Sequence, residues 1–215
     1  MNFILFAESA PITMTIVVFI ILAYLLGSIS SAVIASWIFR LPDPRTFGSK
    51  NPGATNVLRS GNKAAAILTL LGDAGKGWVA VILAQHLAPV WGLDSKVIAA
   101  VALLVFLGHI WPVFLRFKGG RGVATAVGVV LGLNLWSGIL AIITWIIVAL
   151  IWRFSSLSAL VAATLTPVYA WIFLGSEVST LVILIISLLI IWRHKPNIAN
   201  LVAGKETRIG KRDTT

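Results

Sequence analysis

The chain has 215 residues, of which 59% are hydrophobic and only 11% charged, with a formal net charge of +10. A soluble globular domain carries about a quarter charged residues, so this composition excludes one and marks an integral membrane protein of several spans. The sequence has no cysteine, which excludes disulfide and thiolate chemistry, and its Lys and Arg lie between long apolar runs, which speaks against nucleic acid as a partner.

In chain order, the opening segment contains Glu8 and no early Lys or Arg. Its apolar run is too long and uninterrupted for a cleaved signal peptide, so it is expected to be retained. The first span is expected over 12–39, longer than the roughly 20 helical residues a bilayer requires. A polar loop follows, with Gly48-Ser49-Lys50-Asn51-Pro52-Gly53-Ala54-Thr55-Asn56 at its centre. Two glycines and a proline forbid a regular helix there and let backbone N–H groups turn toward a ligand. Ser49, Asn51, Thr55 and Asn56 add hydrogen-bonding side chains, and Arg45, Lys50 and Arg59 surround them with positive charge. Such a loop suits a phosphate. A plain connection between membrane helices collects the same residue types, so the weight falls on what else gathers beside it.

Apolar character resumes over 64–91, interrupted at Gly72-Asp73-Ala74-Gly75-Lys76-Gly77. Asp73 and Lys76, at i and i+3, share a helix face, and a buried pair costs less than either ion alone. A structural ion pair is the expected role of Asp73, with Lys76 able to reach toward a phosphate. After a turn at 92–96 comes a third span over 97–117, with His109 near its inner end, either satisfied by a neighbouring carbonyl or functional. The patch Lys118-Gly119-Gly120-Arg121-Gly122 then leads to Thr125. Glycines with free N–H groups, two cations and a helix start would seat an anion, although a tight turn reads the same way. Four further spans are expected over 123–135, 136–152, 157–174 and 178–192, the first two divided only by Asn134 and Ser137. A third polar cluster begins at Arg193-His194-Lys195-Pro196-Asn197 and continues to Lys205 and Glu206. Pro196 makes a regular helical face for His194 and Asn197 doubtful, though a turn can still join them.

Charge asymmetry fixes the topology. With seven spans and the N-terminus outside, every Lys and Arg of the 17 except Lys76 and Lys96 falls on the inner side, as the positive-inside rule requires. The expected fold is therefore all-α: one integral membrane domain over 1–215, about seven transmembrane helices, a periplasmic N-terminus, and a cytoplasmic tail over 193–215. All three polar clusters then share one face, where two glycine-bearing cationic loops and a His/Asn pair make a site for two anionic groups. No GxSxG, HExxH or GxxxxGK[ST] signature occurs, and the seven acidic residues show no pairing for metal or two-carboxylate chemistry. No metal and no cofactor is implied.

Four ordered motifs carry a resemblance: GSxNPGATNVLR over 48–59, DxxKG over 73–77, GHxxPxFxxFxGGxGVAT over 108–125, and RHxxN over 193–197. Together they resemble the bacterial membrane glycerol-3-phosphate acyltransferases of the PlsY type, across nearly the whole chain. The resemblance implies an inner-membrane enzyme with a cytoplasmic active site that moves an acyl group from acyl phosphate to glycerol 3-phosphate, giving lysophosphatidic acid. It implies a monomer in the lipid bilayer, with transient contact to the enzyme that makes acyl phosphate. Carried over, Arg45, Ser49, Asn51, Asn56, Lys118, Gly119, Gly120, Gly122, His194 and Asn197 belong to the site, and Glu206 is structural. Lys50 stands where the family has glycine, and Arg121, a planar fork, where it has lysine.

The combined expectation assigns chemistry to Arg45, Ser49, His109, His194 and Asn197. Phosphate binding falls to Lys50, Asn51, Thr55, Asn56, Lys76, Lys118, Gly119, Gly120, Arg121, Gly122 and Thr125. Acyl phosphate is already activated, so holding two phosphates and aiming a hydroxyl suffices, with the proton leaving through His109, His194 or a phosphate oxygen. The alternative is a transporter for phosphate-bearing solutes, which would also use Lys76 and a basic mouth. The lack of internal repeats and the one-sided clusters count against it.

Overall fold

The computed structural model describes residues 2–175 and 177–210, with side chains from residue 12 onward. The Glu8 side chain and residues 211–215 of the tail lie outside the described residues. Ten α-helices and no strand occur among the described residues: α1 (Asn2–Ser28), α2 (Ser31–Ile38), α3 (Ala54–Arg59), α4 (Lys63–Leu87), α5 (Ser95–Ile110), α6 (Val123–Leu133), α7 (Leu135–Trp152), α8 (Ser155–Leu174), α9 (Val178–Arg193) and α10 (Lys195–Val202).

Four stretches, Lys63–Trp91, Ser95–Leu115, Leu135–Trp152 and Ser155–Leu174, are long and apolar enough to cross a membrane, and two bent pairs, α1 with α2 and α9 with α10, raise the number to six. Large apolar side chains such as Trp37, Leu71, Leu150, Ile151 and Ile172 point outward. Water would oppose that on such a scale, and hydrocarbon accepts it; the chain is a multi-pass membrane protein. The remaining expected span, 123–135, is the 11-residue helix α6, about 16 Å long, roughly half the hydrocarbon thickness.

Three local expectations are corrected. The span expected over 12–39 is broken at Ile29–Ser30, where α1 and α2 meet at 42°. Ser30 caps α2 by accepting from the Val33 N–H, and the freed carbonyl of Ile29 accepts from Lys76 Nζ at 2.7 Å. The interruption expected at 72–77 is instead continuous α-helix within α4. Glycines there are not breakers but contact points: a Cβ on Gly77 would strike the carbonyl of Thr125, and one on Gly128 the carbonyl of Ala74, so α4 and α6 approach backbone to backbone. Pro196 does not interrupt the helix after His194; it occupies the first turn of α10, where its missing N–H costs nothing.

The division between α6 and α7 falls at Asn134, whose Oδ1 accepts from the Ser137 N–H at 2.9 Å and from its hydroxyl at 3.0 Å. A core of Val105, Phe106, Ile110, Val129 and Ile186 joins α5, α6 and α9. Gly27 and Gly108 let α1 and α5 touch. The helices are thereby locked beneath the polar loops.

Candidate active site

The first loop is built around Asn56. Its Oδ1 accepts from the Ser49 N–H at 2.9 Å, and its Nδ2 donates to the carbonyls of Pro44 and Phe47 at 2.7 and 3.2 Å. Buried, with both Nδ2 hydrogens donated to backbone carbonyls, Asn56 shapes the loop and has no N–H left for a phosphate. Lys50 is exposed and sits at φ 53, a left-handed conformation that favours glycine. This gives a physical reason for glycine at that position in the family pattern. Thr55 Oγ1 lies 3.0 Å from Ser155 Oγ, joining the loop to the start of α8. Ser49 and Asn51 are half-buried beside it.

Arg45 pairs within its own loop. Its Nε and Nη2 fork onto Asp43 at 2.9 and 2.6 Å, which holds the Asp43 carboxyl below its ordinary range and raises the guanidinium. Lys118 is exposed. Lys76 pairs with Asp73 Oδ1 at 2.9 Å and donates to the Ile29 carbonyl at 2.7 Å, so two of its three N–H donors are engaged within the protein. The expected pairing of Asp73 with Lys76 is present.

The glycine turn differs from a row of free donors. The Gly120 N–H donates to the His109 carbonyl at 3.2 Å, while the carbonyls of Gly119 and Gly120 accept from Arg193 Nη2 at 3.0 and 3.1 Å. The N–H groups of Gly119, Arg121 and Gly122 have no acceptor among the described residues. Gly122, at φ 86, is the N-cap of α6. His109 is buried, with Nδ1 3.6 Å from Asp73 Oδ1. Its Nε2 lies against Gly120, where an added Cβ would collide with it. The ring is thus packed between the Asp73 carboxylate and the glycine turn, at the edge of a small cavity that it lines with Lys76 and Gly120.

The third cluster closes over the other two. His194 is buried, and its Nδ1 sits 2.8 Å from the Ile190 carbonyl. A carbonyl only accepts, so Nδ1 carries the proton and Nε2 is the basic nitrogen. Glu206 Oε1 accepts from Ser156 Oγ and Asn197 Nδ2, each at 2.8 Å, tying the tail to α8 and α10. The Ile209 N–H donates to the Arg153 carbonyl at 2.7 Å.

Electrostatics show the convergence. Burial pushes the Arg121 guanidinium below its ordinary value, Glu206 opposes this, and Arg59 and Arg193 push it further down. One arginine from each cluster therefore shares a neighbourhood. Three buried polar atoms there lack any partner among the described residues: Thr125 Oγ1, Arg193 Nε and Asn197 Oδ1. Such atoms are costly unless a ligand or water meets them. Sequence reasoning treats Arg59 as surrounding charge and Arg193 as the start of the third polar cluster; both lie inside the motif strings and end helices, α3 and α9, and no local signal singles them out for the site. Among the described residues, no three His, Asp or Glu side chains gather as a metal set.

A family model described as glycerol-3-phosphate acyltransferase matches residues 17–204. The chain is 65% identical over 202 residues to a glycerol-3-phosphate acyltransferase of Nitrosospira multiformis, covering 94% of this chain and 100% of the relative. It is 66% identical over 198 residues to one of Nitrosomonas eutropha, covering 92% and 99%. Its structure is similar to crystal structures of PlsY (YgiH), an integral membrane glycerol 3-phosphate acyltransferase. The similarity to the glycerol 3-phosphate form has a TM-score of 0.84 at 34% identity, covering 91% of this chain and 96% of that one. For the lysophosphatidic acid form the TM-score is 0.82 at the same identity and coverage.

Proposed function

The chain belongs to the glycerol-3-phosphate acyltransferase family, and from that premise we propose that it transfers a fatty acyl group from acyl phosphate to glycerol 3-phosphate, giving lysophosphatidic acid and inorganic phosphate. The observation that carries this reading is the cluster of Arg59, Arg121 and Arg193, one from each polar segment, beside buried polar atoms of Thr125, Arg193 and Asn197 that lack protein partners. Three cations gathered with so little compensating acid are suited to two phosphate groups.

In this reading the hydroxyl oxygen of glycerol 3-phosphate attacks the acyl carbon. The new C–O ester bond forms, the bond from acyl carbon to phosphate oxygen breaks, and phosphate leaves with the electron pair. The hydroxyl proton passes to the departing phosphate or to His194 Nε2. Arg121 and Arg193 stabilise the charge that grows on the leaving oxygen. Ser49 and Asn197 orient the reacting groups, and the unpaired N–H groups at Arg121 and Gly122 supply further donors. The acyl tail would lie along the apolar crevice among α6, α7, α8 and α9, lined by Val127, Trp145, Ala159, Ala162 and Ala163. Two lining residues, Val123 and Ile190, adjoin the glycine turn and His194. The chain acts as a monomer in the inner membrane, crosses it seven times with α6 as the short pass, and turns its polar clusters to the cytoplasm.

The test is product formation by the purified protein in detergent, with palmitoyl phosphate and glycerol 3-phosphate supplied. Lysophosphatidic acid and phosphate should appear in equal amounts. No product in the presence of both substrates contradicts the reading, since no compartment is needed for the chemistry.

A further inference from the structure

We propose that Asp73, Lys76 and His109 form a buried positioning network that fixes the Ile29–Ser30 break and the Gly119–Gly120 turn relative to one another, and so sets the geometry of the phosphate site without touching substrate. Its kinetic consequence rests on the acyl-transfer reading above.

The three side chains come from α4 and α5, and all are buried. Lys76 Nζ donates to the Ile29 carbonyl at 2.7 Å, the acceptor that the break in the first span leaves without a helical partner. It also lies 2.9 Å from Asp73 Oδ1. The same oxygen is 3.6 Å from His109 Nδ1. On its other side, His109 meets the glycine turn twice: its carbonyl accepts from the Gly120 N–H, and its ring fills the space where a Gly120 side chain would be. Arg193 takes the two carbonyls of that turn. Ser28, Ser30, Pro52, Lys76, His109 and Gly120 line one small cavity, so the first loop closes on the network as well.

A continuous line of contacts thus runs from the kink, through Lys76, Asp73 and His109, to the turn that presents Arg121 and engages Arg193. Buried ion pairs are weak sources of stability, because desolvation cancels most of the attraction. Their attested use is to specify one arrangement among several. Here the arrangement specified is the position of the glycine turn, which presents Arg121, relative to the kink that leads through α2 into the first polar loop.

Removing one charge alone would strand the other in an apolar interior, so the test removes both, in Asp73→Leu/Lys76→Met. Two quantities are measured on the full-length protein in detergent: amide hydrogen exchange over 117–123, and kcat and KM for glycerol 3-phosphate with palmitoyl phosphate. The proposal expects faster exchange over 117–123, although neither altered residue touches that segment, together with a KM raised at least about tenfold. A folded double variant showing only one of these shifts, or neither, overturns it, since a mere packing role would lower thermal stability and leave the turn and KM alone. Should the double variant not fold, Asp73→Glu keeps both charges and displaces one by a methylene. It should give the same pair of shifts at smaller size, and wild-type values for either overturn the proposal. If the unaltered chain makes no product, the acyl-transfer reading fails, and the exchange comparison decides the network by itself.

Discussion

A methyl group added at Gly120 would meet His109 Nε2 before it met any ligand. The sequence expects such a methyl to obstruct a phosphate; the structure makes the nearer obstacle a side chain from α5. Gly120→Ala should therefore destabilise the protein by about 1–3 kcal/mol through overpacking. Adding His109→Ala should recover most of that loss, because the obstructing atom is the end of the ring. Thermal unfolding of the two single variants and the double variant measures this coupling, and strict additivity would contradict it. The arginines make a second contrast. Arg59→Ala and Arg121→Ala should each raise KM for a phosphate substrate roughly tenfold or more, the worth of a charge-assisted hydrogen bond. Arg45→Ala should raise it less, because that fork is held by Asp43. Equal losses in a steady-state assay would return Arg45 to the site. The loops themselves were legible from composition, but the converging arginines were not, since Arg59 and Arg193 each end a helix and their approach to Arg121 depends on tertiary packing that no local pattern shows.

The helices α4, α7, α8 and α9 follow the apolar runs to within a few residues, because the length of an apolar stretch is a strong signal; α5 ends at Ile110, short of the expected 117, and a 3-10 turn over Val113–Leu115 follows it. The misread boundaries have tertiary causes. Nothing in Gly27-Ser28-Ile29-Ser30 announces a break, and the break is completed by Lys76, which lies 47 residues away. The glycines of α4 each cost about 1 kcal/mol of helix propensity, but Gly77 lets α6 come close and Gly72 makes room for Ser31 of α2, a gain that a local reading does not see. Pro196 reads as a breaker until its place in the first turn of α10 is known. The loops that end these helices can be tested for sidedness, since the chain has no cysteine of its own and Lys50, Asp94, Lys118 and Lys205 are exposed. Cysteines at 50, 118 and 205 should be shielded from an impermeant thiol reagent in intact cells and labelled in inverted vesicles, with a cysteine at 94 behaving oppositely. Labelling of the first three from different sides would dismantle a shared site.

Across the whole molecule, three polar segments far apart in sequence are drawn to one end of the helices by Thr55 with Ser155, Arg193 with the glycine turn, and Glu206 with Ser156. What they assemble is rich in cations and donors, and its serines and threonines lack a base held by an orienting partner. No Ser or Thr hydroxyl among the described residues is hydrogen-bonded to His194, whose Nδ1–H is held by the Ile190 carbonyl and whose basic nitrogen is Nε2. Such a site favours holding both substrates at once over forming an acyl-enzyme. The most direct measurement is a matrix of initial rates over both substrates, with intact-protein mass recorded in acyl phosphate alone. Intersecting double-reciprocal lines, with no mass increase and no phosphate release before glycerol 3-phosphate is added, are the expected result. Parallel lines, with a burst of about one phosphate per enzyme and an acylated Ser or Lys, would contradict it.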